Sequence, residues 1–159
     1  MIEVVAGDIF NSKEKYFLHQ TNCVSKRSAH LAKDIFDRYP YADVYSNRPV
    51  PDKPGTIVVR GNGINQRYII ALFGQYYPGK PKYPDSTLDG YKARETYFYH
   101  GLLRIAKIPQ LESLAIPYMI GCGAADGNWD HYFKMLSNFA NYIKQTQNAK
   151  VIIYKLENL

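Results

Sequence analysis

The sequence predicts an α/β fold built on a largely parallel sheet. Two observations carry this. Short apolar runs alternate with stretches whose apolar residues recur at helical spacing, which implies crossover connections. In addition, Arg67 to Phe73 is a continuous apolar run, the signature of a strand covered on both faces.

The elements follow in order. Ile2 to Ala6 is a strand closed by the turn pair Gly7-Asp8. Tyr16 to Leu18 is a second, ending in the polar group His19, Gln20, Thr21, Asn22. Ser28 is placed to cap a helix carrying Leu31, Ile35 and Phe36, and Tyr39-Pro40 stops it. From Asp43 to Pro54 three prolines forbid regular structure. Gly55 to Arg60 and Arg67 to Phe73 are strands flanking the Gly61-Asn62-Gly63 turn. After a loop from Gly74 to Pro84, Asp85 or Ser86 caps a helix through about Ile105. Ser113 to Pro117 is a strand that runs into the glycine-rich loop Gly121 to Gly127. A helix from Trp129 to about Lys144 and a β-branched strand from Lys150 to Leu156 complete the chain.

The 159 residues suit one domain spanning positions 1–159, with no linker long enough to divide them. At 46% hydrophobic and 21% charged, the composition is that of a globular chain. Cys23 and Cys122 make neither a disulfide framework nor a four-ligand zinc site, and the four histidines show no metal-binding spacing. We therefore expect no metal and no cofactor. No apolar run is long enough for a membrane span, and the first residues do not read as a secretory signal. A reducing intracellular setting, cytoplasmic or nuclear, is the expectation. Lys and Arg exceed Asp and Glu by 20 to 14, and the resulting +6 suits an anionic ligand or a nucleic acid without choosing between them. Some of the 15 tyrosines are available to stack on a base.

In open α/β sheets ligands bind beyond the carboxyl ends of the strands. Four such ends carry polar or glycine residues: Gly7-Asp8, His19 to Asn22, Gly74-Gln75 and Gly121 to Gly127. The last is the strongest clue. Its glycines let main-chain N–H groups face a ligand, and a helix N-terminus follows, a combination that holds phosphate without Lys or Arg. It lacks the Gly-Lys-Ser/Thr of a P-loop. Asp8 is placed to accept from an amino group such as adenine's, although a turn cap is the commoner role. Asn22 offers a donor and an acceptor to a sugar hydroxyl, or else closes an Asx-turn. His19 qualifies as an acid or base, yet a lone histidine there is more often packed in the core.

Taken together, Gly7-Asp8-Ile9-Phe10, His19-Gln20-Thr21-Asn22-Cys23, Ala29-His30-Leu31-Ala32, and Ile116-Pro117 through Gly121-Cys122-Gly123 before Trp129 resemble a macro domain. The chain looks most like the branch with the yeast-type ADP-ribose 1″-phosphate phosphatase and the terminal ADP-ribose protein glycohydrolase. The resemblance implies a three-layer α/β/α fold with a mixed, largely parallel sheet, and ADP-ribose or an ADP-ribosylated substrate as partner. Asp8 and Ile9 then match the adenine contacts, with Tyr154 beside them. Asn22 matches a position near the distal ribose. Gly121, Cys122, Gly123 and Ala124 match the phosphate loop, which Ala125, Asp126 and Gly127 complete.

The departures point at mechanism. The glycohydrolase's lysine position is Gln75, and its loop aspartate position is Ala125, with Asp126 one residue later. Glutamine forms no Schiff base. His30 replaces a glycine that lets backbone approach the distal ribose, and a longer aromatic loop after Gln75 offers a lid. The resulting expectation is a hydrolase at the distal ribose, acting on ADP-ribose 1″-phosphate or an ADP-ribosyl ester, with His19, Asn22, His30 and Asp126 as its polar groups. The alternative is a non-catalytic ADP-ribose-binding module, and a nucleic-acid binder ranks below both.

Overall fold

The computed structural model describes residues 2–157. Their elements run β1 (Ile2–Ala6), β2 (Tyr16–Asn22), α1 (His30–Arg38), β3 (Ile57–Arg60), β4 (Tyr68–Gln75), α2 (Tyr91–Ile105), β5 (Ser113–Pro117), α3 (Trp129–Gln147) and β6 (Lys150–Lys155). Short 3-10 turns cover Ile9–Asn11 and Pro40–Ala42. The strands form one sheet in the order β1-β6-β5-β2-β4-β3, and only β3 runs antiparallel to its neighbour. This is the mixed, largely parallel sheet the sequence predicts.

Both faces are covered, which makes three layers. Phe98, Leu102 and Ile105 of α2 and Tyr132, Leu136 and Ile143 of α3 pack one face with Leu18, Leu72 and Ile116. Ile35 and Phe36 of α1, with Ala42, Val44 and Tyr45, cover the other with Phe17, Ala71 and Phe73. β4 is buried from Ile69 to Gln75, as its unbroken apolar run requires.

Several boundaries differ from the sequence reading, most by one to three residues, and those of β2, α1 and α2 have a clear cause. β2 continues through His19 to Asn22 because β4 lies alongside and pairs with it as far as Asn22↔Gln75, whatever the side chains' polarity. Ser28 does not cap α1. The N-cap is Ala29, with no side-chain bond, and His30 takes a φ of +54°. Nor does Asp85 or Ser86 start α2. The Ser86 hydroxyl accepts from Leu88 and Asp89 N–H in a separate turn, and the helix begins at Tyr91. Among the described residues no helix is long and apolar enough to cross a membrane.

Gly101 marks the closest approach of α2 to the sheet. A Cβ there would stand 2.3 Å from Leu72 Cγ. On an exposed helix, Gly→Ala stabilises by up to about 1 kcal/mol. Here Gly101→Ala overpacks the core and should instead destabilise by about 1–3 kcal/mol, read as a lower urea midpoint.

Candidate functional site

Because β1, β6, β5, β2 and β4 are mutually parallel, their carboxyl ends share one edge of the sheet. A cleft of about 560 Å³ opens there. Its walls are the end of β2 (Gln20, Thr21, Asn22), the start of α1 (Ala29 to Ala32), Gln75 with Pro78 and Gly79, and the segment Pro117 to Gly121 with Gly123 to Ala125.

Main-chain N–H groups dominate two of these walls. The first helical bond of α1 runs from Lys33 N–H to Ala29 C=O, and no side chain caps the turn. The N–H groups of His30, Leu31 and Ala32 therefore find no acceptor among the described residues, which leaves a positive dipole end in the cleft wall. Opposite, Asp126 N–H closes a turn onto Gly123 C=O, while the N–H groups of Gly123, Ala124 and Ala125 make no bond within the described chain. Gly121 makes this loop possible. Its φ is +77°, and a Cβ would meet the Tyr132 ring at 2.6 Å. No carboxylate lines the cleft, and Arg27 carries its one fixed charge among the described residues. Such a surface attracts anions.

Asn22 is on the cleft wall, and it also closes the Asx-turn. Its Oδ1 accepts from Val24 and Ser25 N–H, at 3.0 and 2.8 Å, which orients Nδ2 toward Tyr45 Oη. Arg48, buried and paired with Asp52, donates to the carbonyls of Asn22 and Ser25. His30 also lines the cleft, held in a left-handed backbone that costs a non-glycine residue about 1–2 kcal/mol.

Gln75 lines the cleft, but its amide is committed. It accepts from Gln20 Nε2 at 2.7 Å and donates to the carbonyls of Tyr77 and Gly79. Arg94 donates to the same two carbonyls and pairs at 2.7 Å with Asp89, whose carboxylate accepts from Tyr76 and Tyr77 N–H. The segment after β4, expected as a lid, is thus a fastened wall.

The other expected groups fall outside the cleft lining. His19 is 1% exposed with its ring against Phe36, and neither ring nitrogen has a partner. Burial pushes its pKa down to about 3. Alternation along β2 turns it into the α1 layer, against Phe36, and it is not among the residues that line the cleft. Asp126 is exposed behind the loop and accepts from Tyr91 Oη at 2.6 Å. Cys122 packs in the core, its thiol pushed up to about 12 by burial, and the Gly127 N–H closes the loop onto Gly121 C=O. Asp8, Ile9 and Tyr154 sit on the same sheet edge beside β1 and β6, beyond the cleft's walls. Asp8 Oδ1 accepts from Phe10 N–H, Ile9 is buried, and Tyr154 donates to Glu14 at 2.6 Å while flanking Gly7. Among the described residues no cluster of three His, Cys, Asp or Glu is placed to hold a metal ion.

Sequence reasoning missed Arg27, Tyr45, Arg48, Asp89 and Arg94. Tyr45 and Arg48 lie in the proline-rich stretch that carries no periodic signal. Asp89 and Arg94 read as ordinary charges at a helix start, although they are 6% and 1% exposed.

Two outcomes follow from this geometry. The folded protein keeps His19 neutral to about pH 3, whereas the unfolded chain protonates it below its ordinary 6.5. Stability from this site is therefore complete above 6.5 and falls as pH drops from there toward 3. Between 6.5 and about pH 5, His19→Leu should flatten the fall in unfolding free energy by up to about 1.4 kcal/mol per pH unit. Arg94→Met strands the Asp89 carboxylate in the interior and should cost about 3–5 kcal/mol in denaturant unfolding.

No family model and no curated protein matches the sequence. Solved structures do match in shape. The macrodomain of Mycobacterium tuberculosis DarG superposes with a TM-score of 0.71 at 21% identity, covering 97% of each chain. The macrodomain of Thermus aquaticus DarG gives 0.68 at 17% identity, covering 98% of each. A glycine-to-valine variant of the Oceanobacillus iheyensis macrodomain, solved with ADPR, gives 0.59 at 14% identity over 96% of this chain and 83% of that one. The six-stranded mixed sheet, its three flanking helices and these superpositions make the fold of this chain that of a macrodomain.

Proposed function

We propose that the cleft binds ADP-ribose derivatives, with the diphosphate between the start of α1 and the Gly121–Ala125 loop. One observation carries this reading: two sets of unbonded main-chain N–H groups, at the start of α1 and in the glycine loop, belong to residues that line a cleft with no carboxylate in its lining. The order of the strands supplies a direction. Asp8 follows β1, the glycine loop follows β5, and Asn22 ends β2, three strand spacings from β1. At about 4.8 Å each, that is roughly 14 Å, the reach of an extended nucleoside diphosphate sugar. The adenine then lies at Asp8, Ile9 and Tyr154, where the second Asp8 oxygen accepts from the amino group. The distal ribose lies at Asn22, His30 and the Gln75 wall. The ADPR found with the Oceanobacillus macrodomain supports this reading.

Hydrolysis at the distal ribose is the second reading, and the strained His30 favours it. A positive φ at a non-glycine residue is kept only where surrounding structure enforces it, and here it puts an imidazole on the cleft wall. Water would attack the anomeric carbon and pass its proton to His30, the bond from that carbon to the phosphate or acyl oxygen would break with phosphate or carboxylate leaving, and Asn22 would orient the ribose hydroxyls. His19 and Asp126, off the cleft, take no part, and among the described residues no lysine lines the cleft to form a covalent adduct.

Calorimetry should show ADP-ribose binding, weakened by about 1–3 kcal/mol in Asp8→Ala. Binding unchanged by that substitution argues against the adenine end as drawn. Incubation with ADP-ribose 1″-phosphate and with ADP-ribosylated protein separates the two readings. Turnover that His30→Ala abolishes supports the hydrolase. Binding of both without turnover leaves a recognition module.

A further inference from the structure

We propose that the Tyr45 hydroxyl is a ligand-contacting donor that, together with Asn22 Nδ2, selects ligands carrying an oxygen-rich group at the α1 end of the cleft. Tyr45 lines the cleft, although the residue is only 4% exposed. Its phenol oxygen already accepts twice, from Asn22 N–H at 2.9 Å and from Asn22 Nδ2 at 3.2 Å. The Asn22 amide cannot reverse to take the phenolic proton, because Oδ1 is held by Val24 and Ser25 N–H. The Tyr45 O–H therefore has a proton to give and no acceptor among the described residues.

A buried donor without an acceptor is costly unless a water or a ligand supplies one. The Asn22 Nδ2 group has a second hydrogen in the same position. Both residues line the cleft, and a ligand oxygen within reach of both donors is bonded twice.

The ring cannot turn away. The Arg48 guanidinium lies 4.6 Å from its centroid, and Phe36 meets it edge-on at 5.3 Å. Arg48 is itself held by the carbonyls of Asn22 and Ser25 and by Asp52. The donor is preorganised, so binding loses little side-chain freedom. Burial pushes the phenol up to about 12, and it stays protonated over the whole working range.

This inference rests on the ADP-ribose reading, which places the distal ribose over Asn22. Its chemical content is a preference: the cleft should tell ADP-ribose from ADP, which has the same adenosine and diphosphate and no distal sugar. Tyr45→Phe keeps the ring and removes only the hydroxyl. Calorimetry on wild type and variant with both ligands is the test. We expect about a 10-fold loss of ADP-ribose affinity with ADP affinity unchanged. A crystal of the complex should place a distal-ribose oxygen at about 2.7 Å from the phenol oxygen. Equal loss for both ligands overturns the proposal, as does no loss for either; so does a selective loss with no ligand oxygen within hydrogen-bond distance of the phenol in the complex, because Tyr45 Oη also holds Asn22 and its removal then acts through Asn22 alone. Those outcomes leave the ADP-ribose reading standing. Wild-type protein that binds no ADP-ribose overturns both.

Discussion

Main-chain N–H groups that the protein itself leaves without acceptors are the constraint on which this cleft depends. A helix start normally acquires a side-chain cap, and α1 has none. Ala29 stands where serine, threonine or aspartate would close the turn, and His30 is twisted to a positive φ. Across the cleft, the loop after β5 turns on Gly121 and shows three more N–H groups. Neither wall gains from this arrangement in the empty protein. The gain comes with an anion, which the dipole of α1 and the loop amides stabilise without a neutralising lysine.

Such a cleft works only if its walls keep their places, and buried charges hold them. Arg48 fixes the turn after β2 through two carbonyls, while Arg94 and Asp89 fix the segment after β4 through two carbonyls and two N–H groups. Burying such groups costs several kcal/mol each, offset only where every lone pair and proton is used. Here nearly all are. These buried charges serve the shape of the cleft, and apart from Arg27 the ligand surface is left to neutral groups.

Much of the fold was legible because its signals are local. β1 and β5 begin and end where the sequence places them, and β4 declares its two-sided burial through uninterrupted apolar residues. The starts of α1 and α2 were not legible. Ser28 and Ser86 look like caps by residue type, and only the surrounding chain decides which turn a hydroxyl closes. The site divides along the same line. Glycines and strand-end polar residues announce the edge of the sheet, so Asn22, His30, Gln75 and the glycine loop are found together. Whether a side chain on a strand faces a ligand or a helix depends on register. His19 and Gln20 are adjacent in sequence and turn to opposite layers. Tyr45, Arg48, Asp89 and Arg94 act through partners distant in sequence or across a turn, which no periodicity reveals.

The most direct test of the anion cleft is to follow amide nitrogen and proton shifts while inorganic pyrophosphate, and then ADP-ribose, is titrated into the protein. The account predicts that Leu31, Ala32, Gly123 and Ala124 move first and furthest with both ligands. If those four amides stay still while others respond, the diphosphate is held elsewhere and the account is contradicted.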